Sequence, residues 1–483
     1  MEPCATILLF PEALTQDSDE FFEAFARHFV LVFLAVATLI LAILLVIAMP
    51  LVLVLLSDGI LVAPFYWYFH VWRETPAAQG ALKHGAPVPV PAVCGSEAHS
   101  DNPRAALRFG TRRAIFAGHS FCFEEIGDFM KTRLVLDGIL PYNPPRLGEE
   151  ISVDCGLKEF VKLTMNELSF GPLPEAREAI IDSLSRAGRY PDRDSGPLRA
   201  AIAEANPGVA PDNIVVGNGS SEVLVDLMQT LERPGEVVIA WPSFPFYVSS
   251  ASVVGLQARK VELDANHKAD LDAMLAAVTG ATRAVILCNP NNPSGTYHPL
   301  SEVRAFAGAL PEDVLLILDE AYYEFVEDPL YEGSHELALE SENIVSSRTF
   351  SKVHGLAAFR VGYGIAPANL ADYVWRAHVP FSVNQAGQAA ATASMRQPDA
   401  IAERARLMKQ ERERVQAAFG EAGLEYVPSH TNFVMVGAGP KTFEKTGVLV
   451  REGEALGYPV GWSRVTIGGP EENDRLLAAF SSA

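Results

Sequence analysis

Lys352 lies in the stretch TFSKVHGLAAFR (349–360), where several side chains could support reaction chemistry. Thr349 and Ser351 precede it with two hydroxyls, and Arg360 follows eight residues later. Hydroxyls and a guanidinium can bind an anion such as phosphate, and a lysine that loses its proton is a nucleophile. An ordinary surface lysine fits the same local sequence, because ammonium groups prefer water. The other polar residues of the chain decide between these two interpretations.

Two upstream stretches could add an anion-binding turn and an aromatic surface to such a site. GNGSSE (217–222) is a glycine-rich turn that opens a helical pattern, and a helix N-terminus suits a phosphate. A plain serine N-cap explains Ser220 or Ser221 about as well. WPSFPFY (241–247) could place an aromatic face over a ligand, or it could simply pack in the core. Neither stretch identifies a site by itself.

Two further stretches could supply an amide and a carboxylate. NPNNPSG (289–295) is a rigid turn in which Asn292 either faces a ligand or stabilises the turn. In DEAYYEF (319–325), Asp319 follows an apolar run, and a buried carboxylate needs a partner. A cationic ligand group would satisfy it, and so would a neighbouring arginine. Tyr322 would lie on the same side if a helical turn begins there.

The elements that precede these stretches are strand-like and mostly unbroken apolar runs, as expected for strands buried on both faces. The runs are residues 213–216, 236–240, 284–288, 314–318 and 343–347. Helical patterns lie between them, so the sequence predicts an α/β fold with a largely parallel sheet. Ligands of such sheets bind at the carboxyl ends of the strands. Together, these strand ends predict a site for an anionic, aromatic, pyridine-like cofactor.

The combination resembles the fold-type I pyridoxal-phosphate (PLP) aminotransferases, and specifically the histidinol-phosphate and aromatic amino acid aminotransferase family. The resemblance covers roughly residues 135–483, about 70% of the chain. It rests on motifs in family order: LTMNELSFGPLP (163–174), RYPD (189–192), GNGSSE (217–222), CNPNNPSGT (288–296), LDEAYYEF (318–325), RTFSKVHGLAAFRVGY (348–363), NFVMV (432–436), GVLVR (447–451) and RVTIGGPEEN (464–473).

The resemblance implies specific roles around the cofactor ring. Lys352 would bind the aldehyde carbon of PLP covalently and later carry a proton, which requires a lysine that is neutral when released. Asp319 would pair with the pyridine nitrogen and keep it protonated. Asn292 and Tyr322 would hydrogen-bond the ring hydroxyl oxygen, and Phe244 would stack on the ring.

The resemblance also implies phosphate and substrate contacts. The phosphate would be held by Ser220, Ser221, Thr349, Ser351 and Arg360. Tyr190 would reach the phosphate from a partner subunit, which implies a homodimer. Arg464 would bind the substrate carboxylate or an equivalent anion. Arg451 and Tyr142 would shape the side-chain pocket, and Asn166 would lie near the substrate entrance. No metal site is predicted.

Two departures from the family pattern concern the substrate and the phosphate. The family usually has Asn-Glu-Asn-Pro where this chain has NELS (166–169), so the side-chain preference of the substrate stays open. Ser221 replaces a common aspartate. The resemblance implies a transaminase that moves an amino group from histidinol phosphate or an aromatic amino acid to a 2-oxo acid.

The sequence leaves three alternatives to transamination. The first is PLP-dependent decarboxylation of a phosphorylated amino acid, which relatives of the family perform. The second is a non-catalytic, membrane-tethered domain that senses a ligand; the intact set of Lys352, Asp319 and Arg360 argues against it. The third is an acyl-transfer enzyme of lipid synthesis. That class usually carries a histidine near the pyridine-binding aspartate, whereas here the sequence is DEAYYEF.

The N-terminal quarter predicts a membrane attachment. Residues 29–56 are 28 consecutive residues without a charge, long enough to span a bilayer. The aromatic-rich stretch 64–72 suits the headgroup region. A hairpin divided at Pro50, a buried core helix and a cleaved signal peptide are the alternatives. The acidic flank 1–28 and the basic flank 73–113 predict that the long C-terminal part is cytoplasmic.

The predicted organisation has four parts. Residues 1–28 form an acidic arm, 29–72 a transmembrane or interfacial segment, 73–128 a linker with possible helix, and 129–483 the aminotransferase. Its large domain spans about 176–375, and its small α+β domain combines about 129–175 with 376–483. A formal charge of −21 excludes a nucleic-acid-binding protein. Five widely spaced cysteines without a C-x-x-C motif predict neither a disulfide framework nor a zinc site, and they suit a reducing compartment.

Overall fold

The structure is a computed structural model that describes residues 159–328, 331 and 334–480, together with 112–117, 120–125, 136 and 139. The predicted acidic arm, the predicted membrane segment and most of the predicted linker lie outside these residues, and so does Tyr142. Within the described ranges, no helix combines the length and the apolar character that crossing a membrane requires.

The chain divides into two compact units, Met1–Ile126 and Gly127–Ala483. The described part of the first unit is an antiparallel pair of strands, β1 (Arg112–Ala117) and β2 (Ser120–Glu125). Arg112 pairs with Glu125 at one end, and Ala117 pairs with Ser120 at the other. This pair falls in the stretch interpreted as a linker with possible helix. The sequence analysis did not predict it.

The second unit contains a sheet whose described strands have the order β4-β10-β9-β8-β7-β5-β6. Strand β10 is antiparallel to both of its neighbours, while β9, β8, β7, β5 and β6 pair in parallel. The bounds are β4 Ile214–Asn218, β5 Glu236–Trp241, β6 Gln257–Glu262, β7 Thr282–Cys288, β8 Leu315–Asp319, β9 Ile344–Thr349 and β10 Val361–Ile365.

The five strand-like runs of the sequence correspond to β4, β5, β7, β8 and β9, so these predictions are confirmed. Strands β6 and β10 were not predicted, for two different reasons. β6 (QARKVE) is an edge strand that exposes several polar side chains and therefore lacks an apolar run. In β10 (VGYGI), Gly362 interrupts the apolar run. A glycine is required there because a Cβ would lie 2.1 Å from the backbone nitrogen of Ser220.

Helices cover both faces of this sheet, as the unbroken apolar strands predict. Val237, Ile239 and Ile317 face one core cluster, whereas their neighbours Val238 and Leu316 face the other. The helices of this part are α1 Pro174–Ser183, α2 Gly196–Ala205, α3 Ser220–Gln229, α4 Phe246–Val254, α5 Leu271–Ala276, α6 Leu300–Ala309, α7 Ser334–Glu340, α8 Ala368–Ala377 and α9 Gln385–Met395.

A smaller mixed sheet has the strand order β11-β12-β14-β13-β3. It combines β3, from the segment before the large sheet, with strands from the C-terminal part, as a discontinuous small domain requires. Its elements are β3 Val161–Leu163, α10 Pro398–Glu421, β11 Tyr426–Val427, β12 Phe433–Val436, α11 Pro440–Glu444, β13 Val448–Glu452, β14 Ser463–Thr466 and α12 Pro470–Leu477. A core cluster that includes Met408, Phe419, Phe433 and Val465 packs α10 against this sheet.

Candidate active site

The carboxyl ends of β4, β5, β7, β8 and β9 lie at one edge of the large sheet, because β10 reverses direction between β4 and β9. The residues predicted to do chemistry follow these strand ends. Asp319 ends β8, and it stands beside Cys288 of β7 and Ser347 of β9 in the parallel register. The fold therefore brings the candidate residues to a common edge, as expected for an open α/β sheet.

Asp319 is a buried carboxylate whose hydrogen-bond donors are neutral. Its side chain is 3% exposed. The Tyr247 hydroxyl donates to Oδ2 at 2.6 Å, and the Ala321 N–H donates to Oδ1 at 3.1 Å. Burial raises the pKa of Asp319 to about 6, although both hydrogen bonds act in the opposite direction. Such a group is suited to receive a cationic ligand atom.

Tyr247 was missed by the sequence analysis. It lies in α4 and is fully buried, and the ring of Phe244 packs edge-on against it at 5.5 Å between centroids. Burial and the adjacent carboxylate of Asp319 raise the pKa of Tyr247 well above its ordinary value, so its hydroxyl remains a donor. Phe244 and Tyr247 are three residues apart, and this helical spacing was the available signal.

Lys352 follows β9 and is partly buried. Its Nζ donates to the carbonyl oxygens of Met165 at 3.3 Å and Asn166 at 3.1 Å, and it lies 5.4 Å from the centre of the Tyr322 ring. Burial and, to a smaller extent, the charge of Arg464 lower the pKa of Lys352 to about 7. The interpretation as an ordinary surface lysine is wrong.

Asn166 and Tyr322 form a buried pair next to Lys352. The Asn166 side chain donates to the Tyr322 hydroxyl at 2.8 Å, and its backbone N–H donates to Thr466 Oγ1 at 2.9 Å. Asn166 has a positive φ of 54°, a conformation that asparagine adopts more readily than most residues. Burial raises the pKa of Tyr322 above its ordinary value. Asn166 of the NELS segment thus hydrogen-bonds both residues: its carbonyl accepts from Lys352, and its side-chain amide donates to Tyr322.

An anion-binding arrangement forms where β4 meets α3. Gly219 caps the helix with a φ of 78°, and a Cβ there would lie 2.5 Å from Nη2 of Arg360. Arg360 donates to Ser351 Oγ at 3.4 Å, and Thr349 Oγ1 donates to the same oxygen at 3.1 Å. The first backbone N–H groups of α3, at Ser220–Ser221, have no acceptor within the helix. A guanidinium, hydroxyls and a helix N-terminus therefore converge, which suits a phosphate.

Two buried arginines lie on one face of the small sheet. Arg464 of β14 donates to Asn292 Oδ1 at 2.6 Å and to the Thr164 carbonyl at 2.9 Å. Arg451 of β13 is directly opposite Arg464 in the antiparallel pair. Opposed residues of such a pair project to the same face. Both are buried, at 8% exposed for Arg451 and 6% for Arg464. The register thus places the two predicted substrate arginines opposite each other, and Arg464 also contacts Asn292.

Tyr190 lies on the surface and is 83% exposed. Its ring stacks on Phe381 with 5.0 Å between centroids. An exposed aromatic pair is compatible with contact to a second subunit, but the role of Tyr190 at a partner's phosphate stays a prediction. The predicted contact of Tyr142 with the substrate lies outside the described residues and also stays a prediction.

Comparison with known proteins decides the family. The model of the family "Aminotransferase class I and II" matches residues 158–480. The chain belongs to this family. It is 59% identical over 351 residues to a histidinol-phosphate aminotransferase of Rubrobacter xylanophilus, across 73% of this chain and 100% of the relative. An aromatic amino acid aminotransferase of Nocardia farcinica is 41% identical over 327 residues, across 66% of this chain and 90% of the relative.

A solved structure gives the same assignment. The structure of histidinol-phosphate aminotransferase from Sinorhizobium meliloti, in complex with pyridoxal-5'-phosphate, superimposes with a TM-score of 0.66 at 28% identity. The match covers 74% of this chain and 98% of that chain. The chain is therefore an aminotransferase with the fold-type I α/β architecture, and the alternatives of a decarboxylase, a lipid-synthesis enzyme and a non-catalytic domain are not favoured.

Proposed function

We propose that this chain is a PLP-dependent aminotransferase that transfers the amino group of histidinol phosphate to a 2-oxo acid. Relatives with the name histidinol-phosphate aminotransferase support the substrate, at 59% identity in Rubrobacter xylanophilus and 40% in Geobacillus thermodenitrificans. The observation that carries the proposal is the buried pair of Arg451 and Arg464, because two guanidiniums on one sheet face suit a phosphate dianion.

The residues at the strand ends fit PLP by their chemistry. Asp319 offers a buried carboxylate with neutral hydrogen-bond donors, which suits a protonated pyridine nitrogen. Ser220–Ser221, Thr349, Ser351 and Arg360 offer a phosphate site at a helix N-terminus. Phe244, which packs against Tyr247, offers an aromatic surface, and Tyr322 offers a hydroxyl on a ring close to Lys352. Bound PLP supplies a reactive aldehyde and a ring that withdraws electrons from the substrate carbon.

The side chains of this chain then supply proton transfer and charge. Lys352, with its lowered pKa, provides an amine that is partly neutral near neutral pH and can accept or release a proton at Nζ. Asp319 holds a positive charge at the buried end of the site. Arg464 binds the substrate anion while its other hydrogen bonds, to Asn292 and Thr164, fix the guanidinium.

A panel of amino donors tests the substrate. The full chain is incubated with 2-oxoglutarate and with histidinol phosphate, histidinol, phenylalanine, tyrosine or aspartate, and glutamate formation is measured. We expect the highest kcat/KM with histidinol phosphate. We expect Arg451→Gln to reduce it about 10- to 100-fold while affecting the unphosphorylated donor less. Release of carbon dioxide in place of glutamate would contradict transamination, and a preference for phenylalanine would assign the aromatic branch.

Membrane attachment through residues 29–72 is proposed, with the catalytic part in the cytoplasm. The support is the uncharged run 29–56 and the acidic and basic flanks. We expect the full chain to sediment with membranes after an alkaline carbonate wash, whereas a chain starting at residue 129 remains in the supernatant. Protease added to sealed inverted vesicles should digest the catalytic part. Recovery of the washed full chain in the supernatant would reject the attachment.

A homodimer is proposed on the basis of exposed apolar side chains. Large apolar residues are exposed at two short segments, 181–190 and 379–381; they are Ile181, Leu184, Tyr190, Val379 and Phe381. Tyr190 and Phe381 stack on each other across the two segments, and exposed apolar groups that pack together mark interaction surfaces. Sedimentation velocity should give twice the chain mass of 52.3 kDa, in detergent if the membrane attachment holds. Tyr190→Ala should weaken PLP binding if the tyrosine reaches the phosphate of the partner subunit.

A further inference from the structure

We propose that Tyr247 is a positioning residue of the reaction, because its hydroxyl fixes the orientation and the charge of Asp319 at the cofactor ring. This inference rests on the proposed function, since it concerns the residue that would face the pyridine nitrogen. Tyr247 does not contact the reacting atoms in this scheme. It acts through Asp319, to which its hydroxyl donates at 2.6 Å.

The ring of Tyr247 is held rigidly. It is 0% exposed and lies in the core cluster between the large sheet and helices α3 and α4, with Leu224 and Ile239 among its members. Phe244 packs against the ring at nearly a right angle, with an interplanar angle of 88°. A buried ring in such packing has one rotamer. The direction of the hydroxyl is therefore set by the core and not by the ligand.

The two oxygens of Asp319 have different donors. The backbone N–H of Ala321 donates to Oδ1, and the Tyr247 hydroxyl donates to Oδ2. The backbone donor is present for every residue except proline at position 321, so Tyr247 is the donor whose side chain can be replaced without changing the backbone. Its loss would leave a buried carboxylate oxygen without this hydrogen bond, which disfavours the charged form.

The charge of Asp319 matters for the cofactor, because a carboxylate stabilises a protonated ring nitrogen and a neutral carboxyl group does not. Hydrogen bonds to the charged form of a carboxylate stabilise that form against burial. Lys352 is the cation that acts on Asp319 over a longer distance, and it also becomes partly neutral near pH 7. Near pH 7, where Lys352 is partly neutral and attracts the Asp319 carboxylate less, the Tyr247 hydrogen bond thus keeps that carboxylate charged.

The test is a double-mutant cycle with Tyr247→Phe and Asp319→Asn in the full chain. The phenylalanine keeps the ring and removes the hydroxyl alone. Tyr363→Phe is the matched control, because Tyr363 is also a buried tyrosine, 3% exposed, and packs in a different core cluster. Three quantities are measured: the dissociation constant of PLP for the cofactor-free protein, the pH dependence of the bound cofactor's visible spectrum, and kcat with KM.

We expect Tyr247→Phe to raise the PLP dissociation constant about 10- to 100-fold, the range for one hydrogen bond to a charged group. The spectral transition that reports the ring nitrogen should move to lower pH, and kcat should fall more than KM rises. In the Asp319→Asn background, Tyr247→Phe should change the dissociation constant less than about threefold, because a residue that acts through Asp319 has nothing left to act on. Tyr363→Phe should change none of the three.

Two results would overturn the inference. One is a dissociation constant and a spectral transition in Tyr247→Phe that equal those of the unsubstituted chain. The other is an equal loss in both backgrounds, which would assign Tyr247 to packing alone. Failure of the proposed function has a different signature, because the unsubstituted chain would then neither bind PLP nor form glutamate. The double-mutant cycle also removes any general effect of the substitution on folding.

Discussion

Asp319 and Glu320 are adjacent acids at the end of β8, and their hydrogen-bond partners differ in charge. Both are buried, at 3% and 0% exposed. Asp319 receives hydrogen bonds from the neutral donors Tyr247 and Ala321. Glu320 pairs with Arg348 at 3.0 Å and also accepts from the Ser346 hydroxyl. Glu320, which has a protein cation as its partner, stabilises the fold. Asp319, whose two hydrogen-bond donors are neutral, can accept a cationic group of a ligand.

The two cations on the β9 side show the same contrast. Arg348 is 3% exposed, and it donates to Glu320, Asn206 and Ser334. Burial lowers the pKa of Arg348, but the charge and hydrogen bond of Glu320, together with the neighbouring Tyr363 and Tyr323, outweigh burial and raise the pKa above its ordinary value. Lys352 is shifted in the opposite direction, to a pKa of about 7. A buried cation that is paired with a carboxylate keeps its charge, whereas burial and the charge of Arg464 allow Lys352 to release its proton.

The largest expected effect comes from removing the lysine. Lys352→Ala should have no measurable turnover, because this substitution removes the amine that would bind the cofactor aldehyde and carry the proton, and the visible absorbance of covalently bound cofactor should be lost. Non-covalent binding of PLP is expected to remain. Thermal unfolding of the cofactor-free protein should change little, since the buried charge penalty of Lys352 disappears with it. Normal turnover by this variant would refute the assignment of Lys352.

The second effect separates the two adjacent acids. Asp319→Asn should reduce kcat about 100- to 1,000-fold and leave the stability of the cofactor-free protein unchanged or increased. Glu320→Gln should cost about 3–5 kcal/mol of unfolding free energy, because it leaves the charge of Arg348 buried without its partner. Steady-state kinetics and chemical denaturation measure the two effects.

The control for that pair is Glu320→Gln combined with Arg348→Met, which removes both charges. Replacement of both partners by neutral groups is far less costly than removal of one, so this variant should regain most of the lost stability. If Asp319→Asn destabilised the protein as much as Glu320→Gln, the distinction between a ligand carboxylate and a structural carboxylate would be wrong.

The sequence predicted which residues lie at the strand ends, but it did not predict which side chains pair with Asp319 and Glu320. The motifs placed Lys352, Asp319 and Ser220 at the ends of β9, β8 and β4, because unbroken apolar runs and the residues that follow them are local signals. The local sequence left two partners open for Asp319, a ligand cation or a neighbouring arginine. Arg348 is that arginine, but it pairs with Glu320. Which of two adjacent acids faces which partner depends on strand register, and register is a tertiary property.

The other missed contacts are also long-range. Tyr247 and Asp319 are 72 residues apart, and Asn166 and Tyr322 are 156 residues apart. Asn166 was predicted near the substrate entrance, and that role stays a prediction. Its amide is buried against Tyr322, because β3 pairs with β13 and the segment after β3 reaches Thr466 of β14. A sequence motif shows which residue types a site contains. Which of these residues contact each other is determined by how the two sheets pack.

A third prediction uses the lowered pKa of Lys352. A base whose folded pKa lies below its unfolded value is more often neutral in the folded protein, and the neutral amine reacts with an aldehyde. The rate of covalent PLP capture by the cofactor-free protein should therefore rise about tenfold per pH unit below pH 7 and level off above it. Stopped-flow absorbance measures this rate. A rise that continues to pH 10 would indicate a lysine with an ordinary pKa and would place Lys352 with the solvated lysines.

The smallest expected effect concerns stability and sharpens the contrast between Asp319 and Glu320. The folded pKa of Asp319, about 6, lies above its ordinary value of 3.8, so the folded state binds the proton more tightly than the unfolded state. The contribution of Asp319 to the unfolding free energy is thus fully present below pH 4 and is lost as the pH rises through 6. The loss is at most roughly 3 kcal/mol for a shift of this size.

Asp319→Asn should remove this slope. The difference in unfolding free energy between the variant and the unsubstituted, cofactor-free protein should therefore grow between pH 4 and pH 7, in favour of the variant. Urea denaturation at a series of pH values measures it. A carboxylate paired with a cation would give the opposite sign, because it stabilises the protein when charged. A variant that lost stability relative to the unsubstituted protein as the pH rose would show that Asp319 already has a protein cation as its partner.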